Sequence, residues 1–232
     1  MLKTISIALV IILAFGLLAG CSSGENEKKE STTMKQESTP PRFTTPQFTG
    51  ANLADYRHQI RNENDPFVTL ETNMGNMTLE LYPDVAPIHV DSFLARVKDG
   101  FYDSTIFHRV IDSFMIQGGG MSINGQWKQV NYTLPAEFND LPHYEGTLSM
   151  ARTRDTNGAS TQFFIVLQRN QSTASLDHQY TVFGQLIKGY DVLHEIGSSA
   201  TKAGPGGEKS VPVNPVVLIR AYVSDAEGNP IK

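Results

Sequence analysis

Residues 107–120 read FHRVIDSFMIQGGG: a histidine, an arginine and a glutamine set among large apolar side chains, closing on three glycines. Three chemistries compete for that mixture. They are a metal or acid–base site at His108, a phosphate cradle at the glycines, and an apolar pocket edged with hydrogen-bond donors. A phosphate loop needs a Lys-Ser or Lys-Thr pair after its glycines, and a dinucleotide turn needs spaced glycines between a strand and a helix. Here MSINGQW follows and supplies neither, so the glycines read as permissive backbone beside a pocket. The other histidines, His58, His89, His143, His178 and His194, form no i, i+4 pair, which argues against a metal site. Nucleophilic catalysis finds no GxSxG elbow, and the single thiol, Cys21, belongs to an N-terminal segment. The remaining reading is a pocket that works without metal, cofactor or covalent intermediate.

Outward from this stretch, alternating apolar residues and turn signals mark strands. FVTLET and NMTLELY flank NMG at residues 73–75 and read as a hairpin. Residues 86–100, APIHVDSFLARVKDG, carry Pro87 near the start, Val90, Phe93, Leu94 and Val97 at helical spacing, and Gly100 at the end. That is a helix with a start and a stop. Further strands are expected at STIFHRV, GTLSMAR, TQFFIVLQ, YTVFGQLI and NPVVLIRAYV, and a second short helix at GYDVLHEI. Many strands and two helices over about 160 residues predict a mostly β domain, closed or sandwich-like, with helices over its open ends.

Composition narrows the function classes. The chain has 232 residues, 40% hydrophobic and 19% charged, ordinary values for a globular protein. Lys+Arg 19 against Asp+Glu 24 gives a net charge of -5, with no basic run, so nucleic acid is not an expected partner. One cysteine excludes an intramolecular disulfide and a cysteine metal cluster.

The N-terminus differs in texture. MLKTISIALVIILAFGLLAG has basic Lys3, an apolar run at residues 5–18 and small Ala19 and Gly20 before Cys21, the pattern of an export signal. The run is shorter than the ~20 residues of a spanning helix. LAGC, residues 18–21, resembles the bacterial lipobox, which implies cleavage before Cys21 and diacylation of its thiol; an ordinary secretory signal with a free thiol is the alternative. Buried lipid methylenes contribute about 0.8 kcal/mol each, and two or three chains together hold a protein firmly. The expected location is a bacterial membrane, lipid-anchored on the extracytoplasmic face. Residues 22–50 are rich in Ser, Thr, Glu, Lys and Pro and lack the apolar surface to offset ordering entropy. LADYRHQI, residues 53–60, reads as a short boundary helix. The expected organisation is a signal at 1–20, a lipidated cysteine and tether at 21–65, a folded domain at 66–225 and a tail at 226–232. About 44 tether residues give a reach on the order of 35–40 Å.

FHRVIDSFMIQGG resembles the cyclophilin signature. GTLSMARTRDTNGASTQFFIVL followed by LDHQYTVFGQL resembles the family's second and third segments, in the same order and spacing. The similarity covers roughly residues 66–224. It implies a closed eight-stranded antiparallel β-barrel capped by two α-helices, and peptidyl-prolyl cis-trans isomerase (rotamase) activity on proline-containing polypeptides. A monomer without a cofactor is expected. An X-Pro bond turns slowly because twisting breaks amide resonance, against a barrier of ~18–20 kcal/mol. The twisted proline nitrogen regains a lone pair, so a fixed donor aimed at it favours the transition state over either planar state. Arginine suits that task, being always charged and rigidly forked.

By the resemblance, Arg109 is that donor and Gln117 holds the substrate backbone. His108 completes the catalytic wall by packing and hydrogen bonding, since the reaction moves no proton. Phe114, Met115, Phe164 and Leu176 line the proline pocket with Tyr180, Gln162 orients Arg109 or substrate, and Ala151, Arg152 and Thr153 form the groove for residues before the proline. Four positions depart from the frequent pattern. Ser175 stands where many members carry tryptophan, which argues against high cyclosporin affinity. Tyr180 replaces a frequent histidine, Gly120 a frequent aspartate and Arg152 a frequent asparagine. A competing expectation is a chaperone or adaptor that binds proline segments in the same pocket without required turnover, and a third is a surface protein that contacts host components.

Overall fold

The computed structural model describes residues 61–231. The expected signal, the expected anchor at Cys21, the expected tether as far as residue 60 and the expected helix at 53–60 lie outside the described residues. The N-terminal hairpin forms where alternation places it: β1 (Phe67–Thr72) runs antiparallel to β2 (Gly75–Leu81), with Phe67 opposite Glu80 and Thr72 opposite Gly75. Helix α1 (Pro87–Lys98) begins with proline, whose fixed φ suits the first turn, and ends with Arg96 and Lys98 facing the negative end of the helix dipole. Its buried side is His89, Val90, Phe93 and Val97, with Leu94 at the margin of the core.

The main sheet continues through β3 (Thr105–Ile106), β4 (Arg109–Ile111), β5 (Met115–Gly118), β6 (Met121–Ser122), β7 (Thr147–Arg152), β8 (Ala159–Val166), β9 (Val182–Lys188) and β12 (Val217–Ser224). A one-turn helix α2 (Gln171–Ala174) follows β8, and α3 (Tyr190–Gly197) fulfils the second expected helix. A separate hairpin joins β10 (Thr201–Ala203) to β11 (Lys209–Pro212), and β11 lies against β4.

The expected closed eight-stranded barrel is corrected. The hydrogen-bonded sheet is open and curled, with ten strands in the order β4-β5-β8-β7-β9-β2-β1-β12-β3-β6. Both segments that form the sheet's two ends are broken. STIFHRV divides at Phe107 and His108, and MIQGGGMS divides at Gly119 and Gly120, so β3 pairs with β12 and β6 whereas β4 pairs with β5. Gly119 has φ 82, outside the range that continues a strand. A Cβ there would meet Thr161 O at 2.7 Å.

Period-two alternation then divides the sheet into two faces. Ile116, Leu148, Met150, Phe163 and Ile165 enter the main core, where Phe93 meets Phe163 and Phe183 edge-on at 5.4 Å. Their neighbours Met115, Phe164 and Val166 form a second cluster on the other face, with Ile111, Phe114, Ala151, Leu176 and Tyr180 packed against it. Burying a side chain of this size contributes roughly 1.5–3 kcal/mol. The two phenylalanines of QFFI therefore serve different cores.

Candidate active site

The second cluster carries the site. The β4–β5 register sets Arg109 opposite Gln117, the β5–β8 register sets Gln117 opposite Phe164, and the β7–β8 register sets Phe164 opposite Ser149. One row of side chains thus crosses four strands. Phe164 floors a cavity of about 150 Å³ lined by Arg109, Phe114, Met115, Gln117, Ala151, Arg152, Leu176 and Tyr180. Phe114 is held at the β4–β5 turn by Phe114 N–H to Ile111 O and by Leu167 N–H to Phe114 O. Leu176 and Tyr180 follow α2, whose first turn Asn170 caps by accepting from the Ser172 and Thr173 amides at 2.9 and 3.1 Å. Tyr180 meets Phe164 edge-on at 5.7 Å.

The polar rim is a relay of amides. Arg109 Nη1 donates to Gln117 Oε1 at 3.4 Å and approaches Met115 Sδ at 3.9 Å, while Gln117 Nε2 donates to Gln162 Oε1 at 3.0 Å. Gln162 has room because position 120 is glycine: a Cβ there would lie 2.7 Å from Gln162 Cγ. A neighbouring groove of about 130 Å³ is lined by Gln117, Ala151, Arg152, Thr153, Gly158, Ser160 and Gln162. Arg152 sits on the ridge between the two cavities. Its guanidinium lies 4.7 Å from the Tyr180 ring centroid and donates to Gln179 O and Thr153 O, a cation–π and backbone anchorage that fixes the ridge.

The structure therefore gathers eleven of the sequence-predicted residues around two adjoining cavities, and the twelfth, His108, lines neither but lies against Gln162 behind them. His108 packs edge-on against Trp127 at 5.0 Å. Its Nδ1 has no hydrogen-bond partner among the described residues. Burial, aided by the Arg109 charge, pushes its pKa down to about 4, so the ring is neutral at physiological pH.

Four residues beneath Phe164 escaped sequence reasoning. His143 stacks on Phe164 at 5.9 Å with an interplanar angle of 13°. Its Nδ1 lies 3.0 Å from Asp177 Oδ1 and its Nε2 3.0 Å from Ser149 Oγ, while Arg169 Nη2 donates to Asp177 Oδ2 at 2.7 Å. Burial pushes the His143 imidazole down against the opposing pull of Asp177; burial of Asp177 is outweighed by hydrogen bonds from His143 and Arg169, which hold its carboxyl well below the usual range. The Ser-His-Asp order is that of a hydrolase triad, yet Ser149 is fully buried and donates to Thr181 O at 2.9 Å. No substrate reaches it, and the group serves as a polar foundation for Phe164.

The other unexpected residue is Glu208, in the turn between β10 and β11. Arg109 Nε donates to Glu208 Oε2 at 2.7 Å and Arg109 Nη2 to Glu208 Oε1 at 2.8 Å. Hydrogen bonding to Arg109 is the main cause holding the Glu208 carboxyl below its ordinary pKa.

The sequence model described as cyclophilin type peptidyl-prolyl cis-trans isomerase/CLD matches residues 67–223. The chain belongs to this family. A peptidyl-prolyl cis-trans isomerase of Acinetobacter baylyi is 42% identical over 159 residues, covering 67% of this cyclophilin and 84% of the relative. Peptidyl-prolyl cis-trans isomerase B of Escherichia coli is 38% identical over 164 residues, covering 68% and 99%. Among solved structures, a Cryptosporidium parvum cyclophilin type isomerase, crystallised in the presence of the dipeptide Ala-Pro, superposes with a TM-score of 0.56 at 29% identity, covering 68% of this cyclophilin and 99% of that chain.

Proposed function

We propose that the chain accelerates cis-trans isomerisation of X-Pro bonds in polypeptides, with the proline ring seated on Phe164 and Arg109 as the donor to the twisted amide nitrogen. The observation that carries this reading is the opposition of Arg109 and Gln117 at the edge of a cavity floored and walled by Phe114, Met115, Phe164 and Leu176. The ring's burial holds one side of the amide, and Gln117 holds the backbone on the other. Rotation about the C–N bond then brings the regained lone pair toward the guanidinium. Because the lone pair develops only as the amide twists, that N–H donor is strengthened selectively in the transition state. The neighbouring groove at Ala151, Arg152 and Thr153 receives residues before the proline. His108 contributes by packing against the loop of Trp127, since no proton is transferred.

We further infer that the domain works on the extracytoplasmic face of a bacterial membrane, held by lipid on Cys21 and acting as a monomer. The supporting feature is LAGC directly after an apolar export core. A soluble form lacking residues 1–21 is expected to accelerate isomerisation of a proline-containing peptide, and Arg109→Ala to lower kcat/KM by about 10²–10³. Equal activity in the two proteins would sink the enzymatic reading. Labelled fatty acid is expected to enter the wild-type protein and not Cys21→Ala; incorporation into both would refute the anchor.

A further inference from the structure

The Arg109 guanidinium presents two edges. Its Nη1 edge is turned to Gln117 and Met115, both lining the cavity. Its Nε and Nη2 edge is taken by both oxygens of Glu208, in the fork-to-fork arrangement that fixes a guanidinium plane most strictly. The carboxylate is itself delivered by a pinned turn. Gly204 N–H donates to Glu208 O at 2.8 Å, Gly207 N–H to Gly204 O at 3.0 Å, and β11, which begins at Lys209, lies against β4 and hence beside Arg109.

We propose that Glu208 is a positioning residue for the isomerisation: it clamps the outer edge of Arg109 so that Nη1 stays turned to the bound amide. This rests on the reading of Arg109 as the donor. A free arginine side chain samples many rotamers and would give up that freedom at each transition state, whereas the paired side chain is already ordered before substrate arrives. Partial neutralisation of the guanidinium accompanies the pairing, and the proposal holds that orientation outweighs it. With Arg109 and Glu208 33% and 45% exposed, the pair adds little to global stability, so its removal is a test of function with the fold intact.

The test compares kcat and KM for an X-Pro peptide, measured by exchange spectroscopy up to saturation, in wild type, Glu208→Ala, Glu208→Gln, Arg109→Ala and the double variant. Glu208→Ala is expected to lower kcat about tenfold with KM changed less than about twofold, at an unchanged thermal midpoint. Glu208→Gln, which keeps one acceptor oxygen, should fall between. In the Arg109→Ala background, Glu208→Ala should cost nothing more. If Arg109→Ala is inactive while Glu208→Ala has wild-type or higher kcat, the positioning role is overturned and the reading of Arg109 stands. If Arg109→Ala keeps wild-type activity, the reading of Arg109 fails and the role of Glu208 falls with it.

Discussion

At the scale of single residues, Phe164 has the most divided duty. It floors the cavity, lies opposite Gln117 and Ser149 in the sheet, meets Tyr180 edge-on and stacks on His143. At 5% exposure its truncation leaves a void that the surrounding strands cannot close, so Phe164→Ala is expected to lower unfolding free energy by about 3–5 kcal/mol. Urea denaturation would register this as a lower midpoint. The same variant should lose affinity for proline peptides, because the ring loses its seat. The place of Phe164 in the pocket was legible only through the resemblance to the cyclophilin segments, since a phenylalanine in a strand taken singly reads as core. His143 was not legible in the same way: its partner Asp177 stands 34 positions away, and nothing in the local pattern announces the pair.

At the scale of elements, the segment STIFHRV shows why a strand can be correctly expected and still be drawn wrongly. STIFHRV has the apolar alternation of one strand, and the structure breaks it in two, because Gly119 across the hairpin leaves the extended region and re-aims the chain. That break sends β3 toward β12 and β4 toward β5, which turns an expected closed barrel into an open ten-stranded order. Gly119→Ala would force a side chain into φ 82 and against Thr161 O and Phe163 Cδ1 at 2.7 and 2.9 Å. A loss of at least ~1–3 kcal/mol is expected, read as a drop in thermal midpoint. No change in midpoint would mean that the hairpin relaxes more freely than these contacts allow.

At the scale of the whole domain, two carboxylates give stability opposite pH dependences. Asp65, just ahead of β1, accepts from Asn62 N–H at 2.9 Å near Glu80 and Asp84, and burial chiefly raises its pKa from 3.8 to about 6. A carboxyl raised in the folded state binds protons that the unfolded chain releases. Its contribution is therefore full below 3.8 and lost as pH rises to about 6. Asp177, held below the usual range, has the reverse sign and loses its contribution on acidification. Asp65→Asn should remove the first dependence and leave the second, which denaturation of both proteins across that interval would reveal as converging stabilities at low pH. Parallel curves would show that Asp65 titrates as it does in the unfolded chain.

The sequence by itself determined the strand and helix periodicities, because they depend on spacing along a local stretch, and the family, because three separated segments match it in order; the pocket residues followed from that resemblance and not from spacing. Tertiary structure alone decided the open order of the sheet, the His143–Asp177 foundation and the clamp on Arg109. Glu208 lies 99 positions from its partner, in a turn whose glycines carry no periodic signal. Charges paired across such a separation are brought together by how loops settle on a finished sheet, and no local pattern encodes that distance.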